Sequence, residues 1–316
     1  MEKRLLGRSG LEVSLVGLGC NNFGGMKQSL DLAAARRVVD AALDAGVTLL
    51  DTADSYGTDG GSEIALGDIL AGRRQHFVLA TKFASPMNRG APGARYNGSR
   101  GYIMAAVDAS LKRLKTDYID LYQYHFPDPR TPIEETLRAL DDLVRQGKVR
   151  YIGCSNLPAW QIVDAAWTSR HHGLHGFVST QAEYSLLARD AERDLFPSLR
   201  HTGTSLLPYF PLASGLLTGK YRKGGGIPAD SRYTIAYFKS SLTDARLDQV
   251  EALIDFAQSR GHTILELAMS WLAAQPVVGS IIAGATTPEQ VTANAAAVGW
   301  RLSLDDLQAL DRIVAG

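Results

Sequence analysis

Val47-Thr48-Leu49-Leu50-Asp51-Thr52-Ala53-Asp54-Ser55-Tyr56-Gly57 is the stretch that decides how the rest of the chain is read. Its first four residues form a short apolar run, bounded like a buried strand. The strand ends on a carboxylate, Asp51, which needs water or a cation because an unpaired buried charge is costly. Tyr56 follows in a short loop closed by Gly57, Gly60 and Gly61. Alone, the stretch favours the plainer reading of an Asp that caps a turn and a Tyr packed on the surface. The segments around it reverse that.

Working outward, a strand–helix rhythm appears on both sides. Upstream, Lys3-Arg4-Leu5-Leu6 and Leu11-Glu12-Val13-Ser14 flank Gly7-Arg8-Ser9-Gly10, the pattern of a hairpin. Val16-Gly17-Leu18 reads as a buried strand leading into a loop with Gly19, Cys20 and Asn21. A helix over 31–45 stops at Gly46. Downstream, Ser62 is expected to cap a helix running to Leu70. Strands are expected at 77–82, 118–122, 151–155, 177–181, 205–209 and 278–282. Helices are expected at 99–114, 132–146, 158–172, 192–200, 244–260, 264–274, 288–298 and 304–314. A long polar loop covers 217–242, and loops of that length are usually functional.

Strands alternating with helices imply parallel strands with helical crossovers. Eight such units predict an α/β fold of the (β/α)8 TIM-barrel type, with an N-terminal β-hairpin and extra C-terminal helices. It forms one domain over residues 1–316. The rival, a doubly wound open sheet, usually carries a Gly-x-Gly-x-x-Gly turn after its first strand. Gly17-Leu18-Gly19-Cys20-Asn21-Asn22 lacks the third glycine.

Bulk composition narrows the function. Lys+Arg and Asp+Glu balance at 33 each, so no overall field draws nucleic acid or an anionic membrane surface. Cys20 and Cys154 lie far apart without metal spacing, which argues against a disulfide scaffold or a metal site. Met1-Glu2-Lys3-Arg4 begins no apolar signal segment, and no apolar run approaches membrane-spanning length. A cytoplasmic protein acting on a small molecule is expected. No oligomeric state follows.

In a (β/α)8 barrel, chemistry gathers at the C-terminal ends of the strands. Asp51, Lys82 and His125 end three consecutive strands, and neighbouring strands lie only about 5 Å apart. Tyr56 hangs just past the first. A phenol with an ordinary pKa of about 10 is a poor acid at neutral pH, but an adjacent ammonium favours its phenolate. Asp51 would hold Lys82 charged and in place, and His125 could orient a carbonyl oxygen or relay a proton. The set suits protonation of a carbonyl oxygen while a hydride reaches the carbon. A purely structural Asp51–Lys82 ion pair is the competing reading. The histidines at 76, 171, 172, 175, 201 and 262 read as surface residues.

These residues carry a resemblance. Asp51-Thr52-Ala53-x-x-Tyr56-Gly57, Lys82 after Leu79-Ala80-Thr81, and Asp117-Tyr118-Ile119-Asp120-Leu121-Tyr122-x-x-His125 resemble the aldo-keto reductase family. So do Gly153-x-Ser155-Asn156, Gln181-x-Glu183-Tyr184 and the run from Tyr209 to Tyr221. The branch resembled includes potassium-channel beta subunits, and the resemblance runs from Leu6 to about Leu310.

It implies a barrel that binds reduced nicotinamide dinucleotide without a Rossmann fold. Tyr56 would be the general acid, Lys82 and Asp51 its tuning pair, and His125 the carbonyl orienter. Ser155, Asn156 and Gln181 would hold the nicotinamide carboxamide, with Tyr209 stacked on the ring. Gly19, Cys20, Asn21 and Asp51 would lie beside the cofactor. Pro211, Leu212, Ser214, Gly215 and Leu216 would follow the pyrophosphate, with Lys220 and Arg232 on phosphate oxygens. Ile282, Gly284, Thr286, Gln290 and Asn294 would hold the adenosine end.

Two departures stand out: Ile282-Ala283-Gly284 where many relatives have Ile-Pro-Gly, and Thr286 where some place Lys or Arg for a 2′-phosphate. NADPH is the expected cofactor and NADH the alternative. Phe23, Tyr56, Phe83, His125 and Phe126, with Tyr96 beside them, are expected to wall the substrate pocket. The implied activity is NADPH-dependent reduction of an aldehyde or ketone to an alcohol. The competing functions are a redox-sensing regulatory subunit with slow turnover, an NADH-preferring alcohol or aldose dehydrogenase, and a barrel enzyme acting on a phosphorylated substrate.

Overall fold

The computed structural model describes residues 1–24, 29–86, 95–226, 233 and 242–315. Arg232, and parts of the two long loops, lie outside the described residues. Two short strands, β1 (Lys3–Leu5) and β2 (Glu12–Ser14), pair antiparallel as the hairpin pattern predicts.

The eight-stranded sheet consists of β3 (Val16–Gly19), β4 (Leu49–Asp51), β5 (Val78–Phe83), β6 (Ile119–Tyr124), β7 (Val149–Ser155), β8 (Ser179–Glu183), β9 (Ser205–Tyr209) and β10 (Ile281–Gly284). Each of β3 to β8 pairs parallel with its successor, and β10 pairs parallel with β3. The remaining seam closes just before β10: Leu206 N–H donates to Val277 O at 2.7 Å and Gly279 N–H donates to Leu206 O at 2.8 Å. The sheet is thus a (β/α)8 barrel, and the open doubly wound alternative is excluded.

Boundaries shift in places. The last strand occupies Ile281–Gly284 rather than 278–282, because Val278 and Gly279 are used to close the barrel against Leu206. The strand expected at 177–181 is Ser179–Glu183. Ser62 does not cap its helix, which spans Gly61–Ile69. Its hydroxyl instead donates to Cys20 O (2.7 Å) and lies 2.7 Å from Thr52 Oγ1. Other helix starts follow the capping chemistry: Asp31, Thr243, Thr263 and Thr287 each accept a first-turn backbone N–H, with Glu266 completing a capping box.

Strand parity sorts the side chains. On β5, Leu79 and Phe83 point outward into the layer under the helices, while Ala80 points into the barrel. On β6, Tyr122 and Tyr124 point outward and Leu121 inward. Inside the barrel, Leu49, Ala80, Leu121, Leu207 and Ile282 pack on Leu6, Leu11 and Val13 of the hairpin segment, which plugs the N-terminal end. The plug is fastened by Arg4, which donates to Val278 O (2.9 Å) and Ala273 O (2.8 Å). Above this apolar floor, the inward positions become polar.

Candidate active site

Asp51 is the last residue of β4, and its register partner on β5 is Ala80, one inward step below Lys82. Lys82 therefore projects over the apolar floor beside it. Its ammonium donates to Asp51 Oδ2 at 2.7 Å, to Thr52 O at 3.0 Å and to the Tyr56 hydroxyl at 3.2 Å. The Lys82 and Asp51 side chains are 0% and 3% exposed. Burial by itself lowers the Lys82 pKa, but the Asp51 charge and then the Tyr56 oxygen outweigh it and hold the ammonium above its ordinary range. Buried ion pairs are poor devices for stability, since desolvation offsets most of the attraction. This one is aimed at a phenol.

The other oxygen of Asp51 has two partners. Gln123 Nε2 donates to Oδ1 at 3.0 Å and Gln181 Nε2 at 2.9 Å. Gln123 went unnoticed in the sequence reading. The signal was parity: Gln123 follows Leu121 by two on β6 and is the register partner of Lys82. Gln181, expected on a nicotinamide carboxamide, gives one amide hydrogen to the carboxylate.

Tyr56 is set by its loop. Gly57 adopts φ +77°, and a side chain there would press within 2.6 Å of Gly24 O. Gly61 packs as closely on Gly24, so the β3 and β4 loops meet backbone to backbone. The Tyr56 ring stands edge-on to the His125 imidazole, with centroids 5.7 Å apart at 80°. His125 stacks on Phe126 (4.6 Å), and Phe126 on the exposed Tyr96 ring (4.8 Å).

These groups open onto a cavity of about 620 Å³. Tyr56, His125, Phe126, Ser155, Asn156, Gln181 and Tyr209 line one part. Pro211, Leu212, Ser214, Gly215 and Lys220 line a second, and Ile282, Gly284, Thr286, Gln290 and Asn294 a third. Gly19, Cys20, Asn21, Asp51, Thr218 and Ala283 complete it, together with Phe210, Leu265, Ala285 and Ala293, which the motifs did not single out. Cys20 is buried at its edge with its thiol toward Leu18 O, and burial raises that thiol well above its ordinary pKa. Asn156, in left-handed backbone (φ +58°), donates through Nδ2 to His125 O and Ser155 Oγ, both at 3.0 Å. Its Oδ1 accepts from the Tyr209 hydroxyl at 3.0 Å.

Three expected positions are corrected. Phe83 is fully buried away from the cavity, stacked on Tyr124 and tilted against Tyr122, because a residue next to the inward Lys82 on one strand must point outward. Phe23 and Leu216 are likewise fully buried in the outer core and do not reach the cavity.

Residues 15–315 match the model of the aldo/keto reductase family. The chain belongs to the aldo/keto reductase family. Curated relatives of this aldo/keto reductase span nearly its full length. A probable voltage-gated potassium channel subunit beta of Arabidopsis thaliana is 38% identical, covering 94% of this chain and 91% of the relative. An uncharacterized oxidoreductase of Bacillus subtilis, YrpG, is 36% identical, covering 100% and 97%. The L-glyceraldehyde 3-phosphate reductase of Escherichia coli O157:H7 is 34% identical, covering 100% and 93%. Family and relatives together make this aldo/keto reductase an oxidoreductase.

Proposed function

We propose that this protein is a cytoplasmic NADPH-dependent carbonyl reductase that converts an aldehyde or ketone to an alcohol, with Tyr56 as the general acid. The observation that carries the reading is the chain Asp51–Lys82–Tyr56, with contacts of 2.7 and 3.2 Å, ending at the wall of a large cavity.

The donor set of that cavity fits a dinucleotide. One part offers amides and hydroxyls beside a ring, Tyr209; another offers Ser214, Gly215 and the Lys220 ammonium; the third offers Thr286, Gln290 and Asn294. Ser155, Asn156, Gln181 and Tyr209 would hold the nicotinamide, Pro211 to Gly215 and Lys220 the phosphates, and Thr286 to Asn294 the adenosine. Reduced nicotinamide, when bound, supplies the hydride. Tyr56 gives its proton to the carbonyl oxygen, and the Lys82 ammonium stabilises the phenolate left behind. Asp51, accepting from Lys82, Gln123 and Gln181, keeps that ammonium charged and aimed. His125 orients the carbonyl oxygen.

NADPH is preferred to NADH because the resembled branch accepts a hydroxyl, here Thr286, in place of a cationic 2′-phosphate ligand. A redox-sensing role is the second reading, favoured by the channel-subunit names of several relatives.

The test mixes purified protein with NADPH, or with NADH, and a panel of aldehydes, ketones and quinones, following loss of reduced-nicotinamide absorbance. Turnover that prefers NADPH is expected. Tight cofactor binding with negligible turnover on every compound would establish the sensor instead, and a protein that binds sugar phosphates but no nicotinamide would end both readings.

A further inference from the structure

The loop carrying Tyr56 is tied to the barrel on its inner side. Thr52 N–H donates to Ala80 O (2.9 Å), Asp54 N–H to Lys82 O (3.2 Å) and Ser62 N–H to Tyr56 O (3.1 Å). Its other side rests on a buried polar cluster that the proposed chemistry does not use. Asp54 and Glu63 are both buried, and neither lines the cavity. Glu63 is well partnered: Thr81 Oγ1 donates to Oε1 at 2.5 Å and Arg113 Nε to Oε2 at 2.7 Å. Asp54 is not. The Tyr102 hydroxyl reaches its Oδ2 at 3.5 Å, and its Oδ1 is buried with no hydrogen-bond partner among the described residues. Arg113 spends its remaining contact on Ser110 Oγ, 3.2 Å away. Two carboxyl groups therefore share one guanidinium that is aligned on only one of them.

We propose that Asp54 is a positioning residue for Tyr56: through the buried cluster it shares with Glu63 and Arg113, it sets where the phenol sits relative to Lys82. The coupling is steric and electrostatic. Asp54 is two residues from Tyr56, and its own N–H fixes the loop on Lys82 O. While Asp54 is neutral, the cluster holds one carboxylate against one guanidinium and the loop stays seated. An ionised Asp54 would add a second charge with a bare buried oxygen, and such a group draws its loop toward water. The phenol, already 3.2 Å from Lys82, would then lose its ammonium neighbour.

The groups facing Asp54 are Glu63 on the helix Gly61–Ile69, Arg113 and Tyr102 on the helix Arg100–Leu114, and Tyr122 on β6. Burial, then the Glu63 charge, raise the Asp54 carboxyl to about 8 against the pull of Arg113. Burial and the carboxylates raise both phenols, which stay neutral over the same range. The neutral form thus prevails at neutral pH and is lost as pH rises through the folded value. The associated stability is whole below the ordinary value of 3.8 and declines from there up to about 8.

The inference rests on the carbonyl-reductase reading, so the experiment has an arm that needs no turnover. Asp54→Asn preserves the shape and removes the titration. The turnover number with NADPH and an aldehyde is followed from pH 6.5 to 9, each protein scaled to its own value at pH 6.5. Amide hydrogen exchange of residues 52–62 is followed over the same range, corrected for the intrinsic rate. The wild-type fall should exceed that of the Asn variant about tenfold, since a carboxyl titrating near pH 8 loses roughly nine-tenths of its neutral form over that interval. Exchange at Thr52, Asp54 and Ser62 should accelerate with pH in the wild type and not in the Asn variant. Glu63→Gln removes the neighbouring charge and should move that exchange transition to lower pH, a second readout if Asp54→Asn folds poorly. Superimposable exchange profiles in all three proteins would overturn the proposal. Absent turnover with the exchange pattern intact would overturn the reductase reading alone.

Discussion

The two ends of the barrel are built by the same strands and serve opposite purposes. At the N-terminal end, Leu49, Ala80 and Leu121 meet Leu6, Leu11 and Val13 in an apolar plug. One inward step along the same three strands, Asp51, Lys82 and Gln123 form a hydrogen-bonded group with a buried charge pair. The floor gains from the removal of apolar surface from water. The mouth gives up that gain and adds the cost of desolvating an ammonium and a carboxylate. A site that costly is retained where its electric field acts on something, here the Tyr56 hydroxyl. Side chains two residues apart on one strand thus divide into stability and chemistry.

Mutations at matched depths sharpen that contrast. Lys82→Met should have the largest effect: it leaves Asp51 buried without its cation, costing about 3–5 kcal/mol in denaturant unfolding, and removes nearly all turnover as well. Tyr56→Phe should lower turnover by about 10³-fold while cofactor binding, followed by fluorescence quenching, persists; unchanged turnover would take Tyr56 out of its role. Leu121→Ala, on the floor, should cost about 3 kcal/mol of stability yet leave kcat/KM of the folded enzyme within about twofold; a large loss of kcat/KM would mean that floor and mouth are not separable. Glu12→Ala breaks only the exposed hairpin pair with Lys3, and its effect should stay below about 1 kcal/mol.

How far the sequence carried depended on what kind of order each residue expressed. Strand–helix alternation and the run ending at Asp51 are local, and they led to the barrel and to the group at its mouth. The error at Phe83 and the omission of Gln123 share one cause: side-chain direction was not followed along the strands. Lys82 inward requires Phe83 outward, and the same count places Gln123 beside Asp51. Leu216 failed for another reason. It lies in a stretch of short turns, Ala213–Thr218, whose backbone departs from any repeating pattern, so no periodicity announced which residues face the cavity. The Ser62 hydroxyl looked like a helix cap because Ser commonly is one; a partner forty-two residues upstream, Cys20 O, claimed it instead.

By itself, the order of residues determined the repeating strand–helix unit, the identity of the ionisable groups at the strand ends and the balance of charge, since these follow from local propensity and composition. Only the closed barrel decided that the Lys82 ammonium has Asp51 on one side and Tyr56 on the other, and that Asp54 shares its burial with Glu63. Those relations join residues from different strands and helices, and their strength is set by the exclusion of water, which no single segment can accomplish.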